Sequence, residues 1–439
     1  MIDGSGIWLV RRAHSRALAL GEASEARTFP SAAPVRSAVL AVAAAVAMAA
    51  SGGTASAQTP IKIGASLSTT GSLAALGQNQ LRGYQLCIKH ANEKGGVLGR
   101  KLELLVEDDK SDVPSAVKIY ESLITEKRVD AILGPYGSAH GEAVANVSEK
   151  YRMPMIAPLS STSSIFKKGR KYVFMIQSPA ENYFDGLIDI AVKRGFKTVA
   201  IIYEDTLFPR TAASGTAELA KRKGLTVVLN EAHPKGTTDF AALLAKVRAA
   251  NPDVLAAGTY FDDAVAITRQ LKAADVNPRM FGVTVGGDTP KFYESLGKSA
   301  EFVYGATQWE PGLVSLRAGG LIPVARQYPG AKEFVEAYQK EFPGADLSYH
   351  SAAGYGGCEL LLEAIRQAKS LEGERVRAAL LQLETGTVFG PFKVDAGGFQ
   401  LAHKALMVQW QDGKKAIVWP EELAVDKPRL PTPEWSKRP

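Results

Sequence analysis

VDAILGPYGSAHGEAVANVSEKYRMPMIAPLSSTSSIF, residues Val129 to Phe166, is the stretch whose reading decides the fold. Val129 to Leu133 is a short apolar run that stops at Gly134-Pro135, and Met153 to Ala157 is another that stops at Pro158. Between them lies an amphipathic helical pattern, and each run ends in a loop rich in hydroxyls. Two parallel strands joined by one helix place both loops at the same carboxyl-terminal sheet edge, where open α/β sheets bind small ligands. Backbone N–H groups freed at Gly137, Ser138, Ser160 and Ser161, together with their hydroxyls, suit an anion such as a carboxylate.

The same rhythm extends in both directions. Ile61 to Ser66 reads as a first strand entering the loop Leu67 to Leu73, and Tyr84, Cys87, Ile88 and Ala91 recur at helical spacing up to Gly95-Gly96. Lys101 to Val106 is a second strand ending in Glu107-Asp108-Asp109, followed by a helix from Pro114 to about Lys127. Around Gln177-Ser178-Pro179 the pattern restarts. Strands are expected at Thr198–Tyr203, Leu225–Leu229, Val254–Ala257, Met280–Val285 and Phe302–Ala306, with helices of 10–15 residues between most of them. That alternation predicts a second parallel sheet covered by helices on both faces. Helices follow at Glu333–Phe342, Ala352–Lys369 and Val376–Leu383. Phe389–Val394, Ala405–Trp410 and Lys415–Val418 read as antiparallel strands, and the Pro-rich tail from Pro420 reads as draped over the surface.

Length agrees with two lobes, since single cores stop growing near ~250–300 residues and this chain has 439. A charged fraction of 22% and a net charge of +7, without a Lys/Arg block, give no reason to expect a nucleic-acid partner. Residues 1–57 carry five Arg against Asp3, Glu22 and Glu25, so their removal leaves +5 on 382 residues. Ser37 to Ala50 is an uncharged apolar run followed by small residues ending Ala55-Ser56-Ala57, the layout of a secretory signal cleaved after Ala57. The run is too short to span a bilayer, which takes roughly 20 residues. The mature protein is therefore expected in the periplasm. Cys87 and Cys358, the only cysteines, lie on apolar helical faces and read as buried small hydrophobes rather than a disulfide, although an oxidising compartment permits one.

Catalytic and cofactor readings fail on pattern. Ser138 and His140 sit near one another, but no G-x-S-x-G elbow frames the serine, and His140 reads as a solvated or capping residue opening a helix. There is no P-loop, no dinucleotide fingerprint and no clustered Cys/His pattern, so no cofactor or metal is expected. Glu107, Asp108 and Asp109 read as a charged turn. What remains are loops that bind. Tyr203, Phe208, Tyr260, Phe261 and Trp309 fall at strand ends of the second half, as in the wall of an amphipathic-ligand pocket.

IKIGASLSTTGSLAALG, GGVLGRKLELLVEDD, ILGPYGSAHGEAVA and PMIAPLSSTS, in that order, resemble the leucine/isoleucine/valine-binding group of type I periplasmic solute-binding proteins, which serve ABC importers. The resemblance covers about Ile61 to Pro420. It implies two Rossmann-like lobes with parallel sheets flanked by helices, joined by a three-strand hinge and closing on ligand. The lobes are expected to be built from 58–177 with 310–386, and from 178–309 with 387–420, after a leader of 1–57 and before a tail of 421–439. The family's carboxylate-binding serine falls on Ser138, its Ala-Thr pair on Ser160 and Ser161, and its second-lobe aromatic on Phe208. The ligand set so implied is Ser138, Ser160 and Ser161 with Gly137, Tyr136, Phe208, Tyr260, Thr284 and Leu76. Where amino-acid binders of the family place an acid, this chain has Thr284, with Asp288, Asp205 or Asp262 as substitutes. The family's short early disulfide has no counterpart. The expected function is capture of a small carboxylate-bearing solute, an aliphatic amino acid or else an amide, keto acid or aromatic carboxylate, for delivery to a membrane permease. Outside transport the rivals are a periplasmic ligand sensor and a hydrolase using Ser138 and His140.

Overall fold

The computed structural model describes residues 58–315 and 327–438. The expected signal segment lies outside them. The first sheet is built from β1 (Ile61–Leu67), β2 (Leu102–Asp108), β3 (Ala131–Leu133), β4 (Met155–Ala157) and β5 (Val173–Met175). Its strands run parallel in the order β2-β1-β3-β4-β5. Helices α1 (Ala74–Glu93), α2 (Val113–Thr125), α3 (Ser138–Tyr151) and the one-turn α4 (Ser164–Lys167) make the crossovers. Local chemistry sets their starts: Asp112 caps α2 by accepting from the Ser115 N–H at 2.9 Å, with Pro114 in the first turn. Strand β5, three residues long and wholly buried, carries too little pattern to be read from sequence.

After α5 (Asp185–Lys193), the second sheet takes β6 (Thr198–Glu204), β7 (Thr226–His233), β8 (Val254–Gly258), β9 (Met280–Val283) and β10 (Tyr304–Thr307) in parallel. Helices α6 (Leu207–Arg222), α7 (Ala241–Ala250), α8 (Phe261–Ala273) and α9 (Pro290–Leu296) lie between them. Every residue of β8 is buried, as a parallel strand covered on both faces requires.

The chain then returns to the first sheet. Helices α10 (Ala331–Glu341), α11 (Tyr349–Ala368) and α12 (Gly373–Gln382) follow, and α11 packs along α1 and against β4. A ribbon of β11 (Thr385–Thr387) and β12 (Gly390–Phe392) comes next, so the first of the three expected antiparallel strands pairs outside the large sheets. The other two, β13 (Leu406–Gln411) and β14 (Lys414–Trp419), close the second sheet, in the order β14-β13-β10-β9-β8-β6-β7. The tail docks rather than drapes: Trp435 is buried and its indole N–H donates to the Val276 carbonyl at 3.0 Å.

Three segments pass between the sheets and are tied to one another. The Ser178 N–H donates to the Gln308 side chain at 3.0 Å, His403 meets the Gln308 carbonyl at 3.0 Å, and the Gln400 amide donates to the Ile176 carbonyl at 3.1 Å.

Cys87 and Cys358 form a disulfide, correcting the reading of two unpaired thiols. The cause is the close approach of α1 and α11. A Cβ on Gly83 would lie 2.2 Å from the Ser351 carbonyl oxygen, so only glycine lets the backbones meet there, and one turn further on the two cysteines face each other with Cα atoms 6.2 Å apart. A contact across 271 residues leaves no local trace in sequence.

Candidate ligand-binding site

Strand β3 ends at Leu133, and the chain turns through Gly137, whose φ of +86° suits glycine, before Ser138 opens α3. The turn delivers Ser138 Oγ to the backbone of the next loop. It accepts the N–H groups of Ser161 and Thr162 at 3.2 and 3.3 Å. Both distances lie at the long end for such bonds, and the hydroxyl proton remains to be donated. Two backbone donors and one hydroxyl therefore converge at the carboxyl edge of the first sheet.

Aromatic rings enclose this point. Tyr136, Ser138, Ser161, Tyr183, Phe208, Tyr260 and Tyr349 line a tightly closed cavity of about 10 Å³, with Leu159, Gln177 and Val285 filling the gaps. Tyr183 meets Phe208 edge to face at 4.9 Å between ring centroids, Phe208 lies 5.7 Å from Tyr260, and Tyr260 lies 6.5 Å from Tyr136. The Tyr183 hydroxyl is fixed by the Gln177 side chain at 2.6 Å. Behind Tyr136, the imidazole of His350 stands 3.4 Å from its hydroxyl, and burial pushes that imidazole down to about 3, which keeps it neutral.

Asp288 lies on the second-sheet side of this cage. It is fully buried, and neither carboxyl oxygen has a hydrogen-bond partner among the described residues. Burial raises its pKa to about 7, against the opposing pull of the Lys415 ammonium. Its charge is felt by the phenols of Tyr136, Tyr183 and Tyr349, so it stands within electrostatic reach of the cavity. Lys415 itself is engaged with Glu310 at 2.7 Å and with the Asp288 carbonyl.

The periplasmic binding protein family matches the chain over residues 60–415. The chain belongs to that family. Leu/Ile/Val-binding protein homolog 7 of Brucella suis is 29% identical over 396 residues, covering 86% of this chain and 96% of the relative. Among solved structures, a leucine-binding protein of Thermotoga maritima superposes with a TM-score of 0.72 at 24% identity, covering 81% of this chain and 97% of its own. A branched-chain amino acid transporter substrate-binding protein of Streptococcus pneumoniae, solved in complex with isoleucine, gives 0.70 at 23% identity, covering 82% and 100%. These neighbours are solute-binding proteins, not enzymes.

In this periplasmic binding protein the residues singled out from sequence divide into two groups. Tyr136, Gly137, Ser138, Ser161, Phe208 and Tyr260 meet around the one cavity. Ser160, Leu76 and Thr284 stand outside its lining. The Ser160 hydroxyl donates to the Gly137 carbonyl at 3.0 Å and so braces the turn. Leu76 is buried in the core. Thr284 is spent on its neighbour strand, accepting from the Thr259 N–H at 2.8 Å and donating to the Thr259 carbonyl at 2.9 Å. Of the three substitute acids, Asp205 is half-exposed and paired with Arg210, Asp262 is exposed, and Asp288 alone is buried beside the cage. Trp309 packs on Phe334 away from the cavity, with ring centroids 5.9 Å apart.

Gln177, Tyr183 and Tyr349 were missed as lining residues. Tyr349 opens a helix more than two hundred residues from Ser138, and nothing local ties it to the loops.

The acidic turn also has a sharper role than a charged surface. Asp109 is buried and accepts the hydroxyls of Ser66 and Ser68 at 2.9 and 2.5 Å, anchoring the loop after β1. His140 is buried rather than solvated, its Nε2 lying 3.9 Å from Asp109 Oδ1, and no bond joins it to Ser138 among the described residues. No helix among the described residues is long and apolar enough to cross a membrane.

Proposed function

We propose that this chain is the extracytoplasmic solute-binding component of an ABC importer and that it captures a small carboxylate-bearing solute, an aliphatic amino acid or a close relative, by closing two lobes around it. The lobes of this reading are the layers built on the two sheets, with the tied crossover segments as the hinge. The observation that carries it is the convergence of the Ser138 hydroxyl with the Ser161 and Thr162 N–H groups at one end of the aromatic cage. A carboxylate there gains charge-assisted bonds worth roughly 1.5–3 kcal/mol each. Asp288, buried and without a partner among the described residues, offers the α-ammonium a counter-charge that Thr284 does not. The relatives' printed names, and the isoleucine bound to the Streptococcus pneumoniae protein, support the amino-acid class. Because solute would touch both layers only when they meet, its binding energy would favour the closed state. Delivery to a membrane permease then follows from the family's role.

A second reading, an aromatic carboxylate without an amino group, is favoured by the five rings lining so small a space. Thermal-shift and calorimetric titration with leucine, isoleucine, their keto acids and benzoates separates the two. Amino acids should raise the melting temperature more than their keto acids do. A shift from benzoates alone would replace the first reading by the second, and no shift from any carboxylate would overturn both.

A further inference from the structure

A second cavity, about 210 Å³, opens beside the aromatic cage and shares Tyr260 with it. Leu73 and His140 line it from the first-sheet side. Glu204, Thr206, Lys235 and Asp263 line it from the second. Glu204 ends β6 and Asp263 sits in the first turn of α8, and the two strands' loops bring their carboxyls together. Both residues are more than nine-tenths buried, with 6% and 7% of their surface exposed.

Their partners do not use up their capacity. Glu204 Oε1 accepts from the Thr206 hydroxyl at 2.6 Å, while Asp263 Oδ2 has no hydrogen-bond partner among the described residues. Burial first, and then the charge of Glu204 and a bond shared with it, push the Asp263 carboxyl up to about 7. Asp263 Oδ2 is thus a buried, unfilled acceptor beside a second buried carboxyl. The neighbours do not fill it. Burial holds the His140 imidazole below its ordinary range, so it stays neutral, and Lys235 is an exposed rim residue with no ion pair among the described residues. No group of three or more metal-ligating side chains occurs among the described residues, so an organic cation suits the pair better than a metal ion.

We propose that Glu204 and Asp263 form a second polar subsite, which takes a cationic end of the solute, an ammonium or guanidinium, while its carboxylate sits at Ser138. This rests on the carboxylate reading above and replaces its aliphatic side chain by one that ends in a cation. An aliphatic side chain would leave the acid pair unmet. A side chain reaching past Tyr260 and ending in a cation would replace the missing partner, and burying a charge is tolerable only when it is so paired.

The test is calorimetric titration of the full chain with straight-chain α-amino acids that end in methyl (norleucine), amide (glutamine) or ammonium (lysine), repeated on Glu204→Gln and Asp263→Asn. Lysine should bind at least about tenfold more tightly than norleucine, and each substitution should remove that preference while norleucine affinity stays within about twofold. Retained norleucine binding reports that the variants are folded. Equal affinity for lysine and norleucine, or a lysine preference that survives both substitutions, would overturn the subsite and leave the carboxylate pocket standing. Failure of all three compounds to bind the unaltered chain would overturn the amino-acid reading and the subsite with it.

Discussion

Tyr136, three residues beyond β3, and Tyr260, two residues beyond β8, meet edge to face with ring centroids 6.5 Å apart. One belongs to the loop that presents Ser138 and the other to the second sheet, so the pair spans the line along which the two layers would part. Aromatic pairs contribute about 0.5–1.5 kcal/mol beyond the area they bury. Tyr260→Ala removes this contact, the contact to Phe208 and the wall shared by both cavities. Affinity for a bound amino acid should fall about 10- to 100-fold by calorimetry. Unchanged affinity would place the solute somewhere other than between these rings.

Ser138→Ala tests the carboxylate end alone. The variant loses the hydroxyl donor and leaves the Ser161 and Thr162 N–H groups without their present acceptor. The predicted cost in the free protein is small, about 1 kcal/mol, because water reaches such groups once a side chain is trimmed. Binding should suffer more, by about 1.5–3 kcal/mol, or roughly 10- to 150-fold in Kd. Ser160→Ala makes a useful contrast, since its hydroxyl braces the Gly137 carbonyl and does not line the cavity. It should lower the melting temperature more than it lowers affinity, and the reverse pattern would exchange the two serines' roles.

The disulfide predicts a redox-sensitive stability. Closing a loop of 271 residues removes much conformational freedom from the unfolded chain, with a chain-entropy figure of about 5.6 kcal/mol as an upper bound. Cys87→Ser with Cys358→Ser, or reduction under denaturing conditions, should lower the melting temperature by several degrees and leave ligand affinity nearly intact, because neither cysteine lines the cage. Mass spectrometry showing two free thiols in protein secreted to an oxidising compartment would contradict the pairing.

How much of this was legible in sequence follows from how each feature is encoded. Glycines and prolines mark turns, and parallel strands buried on both faces read as apolar runs, so β1, β6 and β8 stood out. Ser138 and Ser161 were visible because their loops end two such strands joined by a single helix. Asp288 was legible only as one of three substitute acids, and Tyr349 was not, since it reaches the cage from a helix whose position depends on tertiary packing. The same applies to Cys87 and Cys358, brought together by glycines at a helix crossing. Thr284 shows the converse: its place beside a strand end was legible, but its bonds to Thr259 were not.

Asp288 gives the pH dependence its sign. Its pKa near 7 lies well above the ordinary 3.8, so the folded state holds a proton that the unfolded chain has released between those values. A raised carboxyl pKa costs nothing at acid pH, costs progressively more as pH climbs from about 4, and reaches its full penalty above about 7, at most about 4 kcal/mol. Asp288→Asn should therefore raise the melting temperature most at pH 8 and hardly at all at pH 4. Binding runs the other way. An α-ammonium needs the ionised carboxylate, so Kd for an amino acid should weaken about tenfold from pH 8 to pH 6, with proton release seen as a buffer-dependent heat. A keto acid, which has no ammonium, should lose nothing over that range or bind more tightly at pH 6, where Asp288 is neutral. In Asp288→Asn the amino acid's pH dependence should vanish along with most of its preference over the keto acid. If that preference survives the substitution intact, the ammonium is held elsewhere, and Asp288 is only a buried acid beside the pocket.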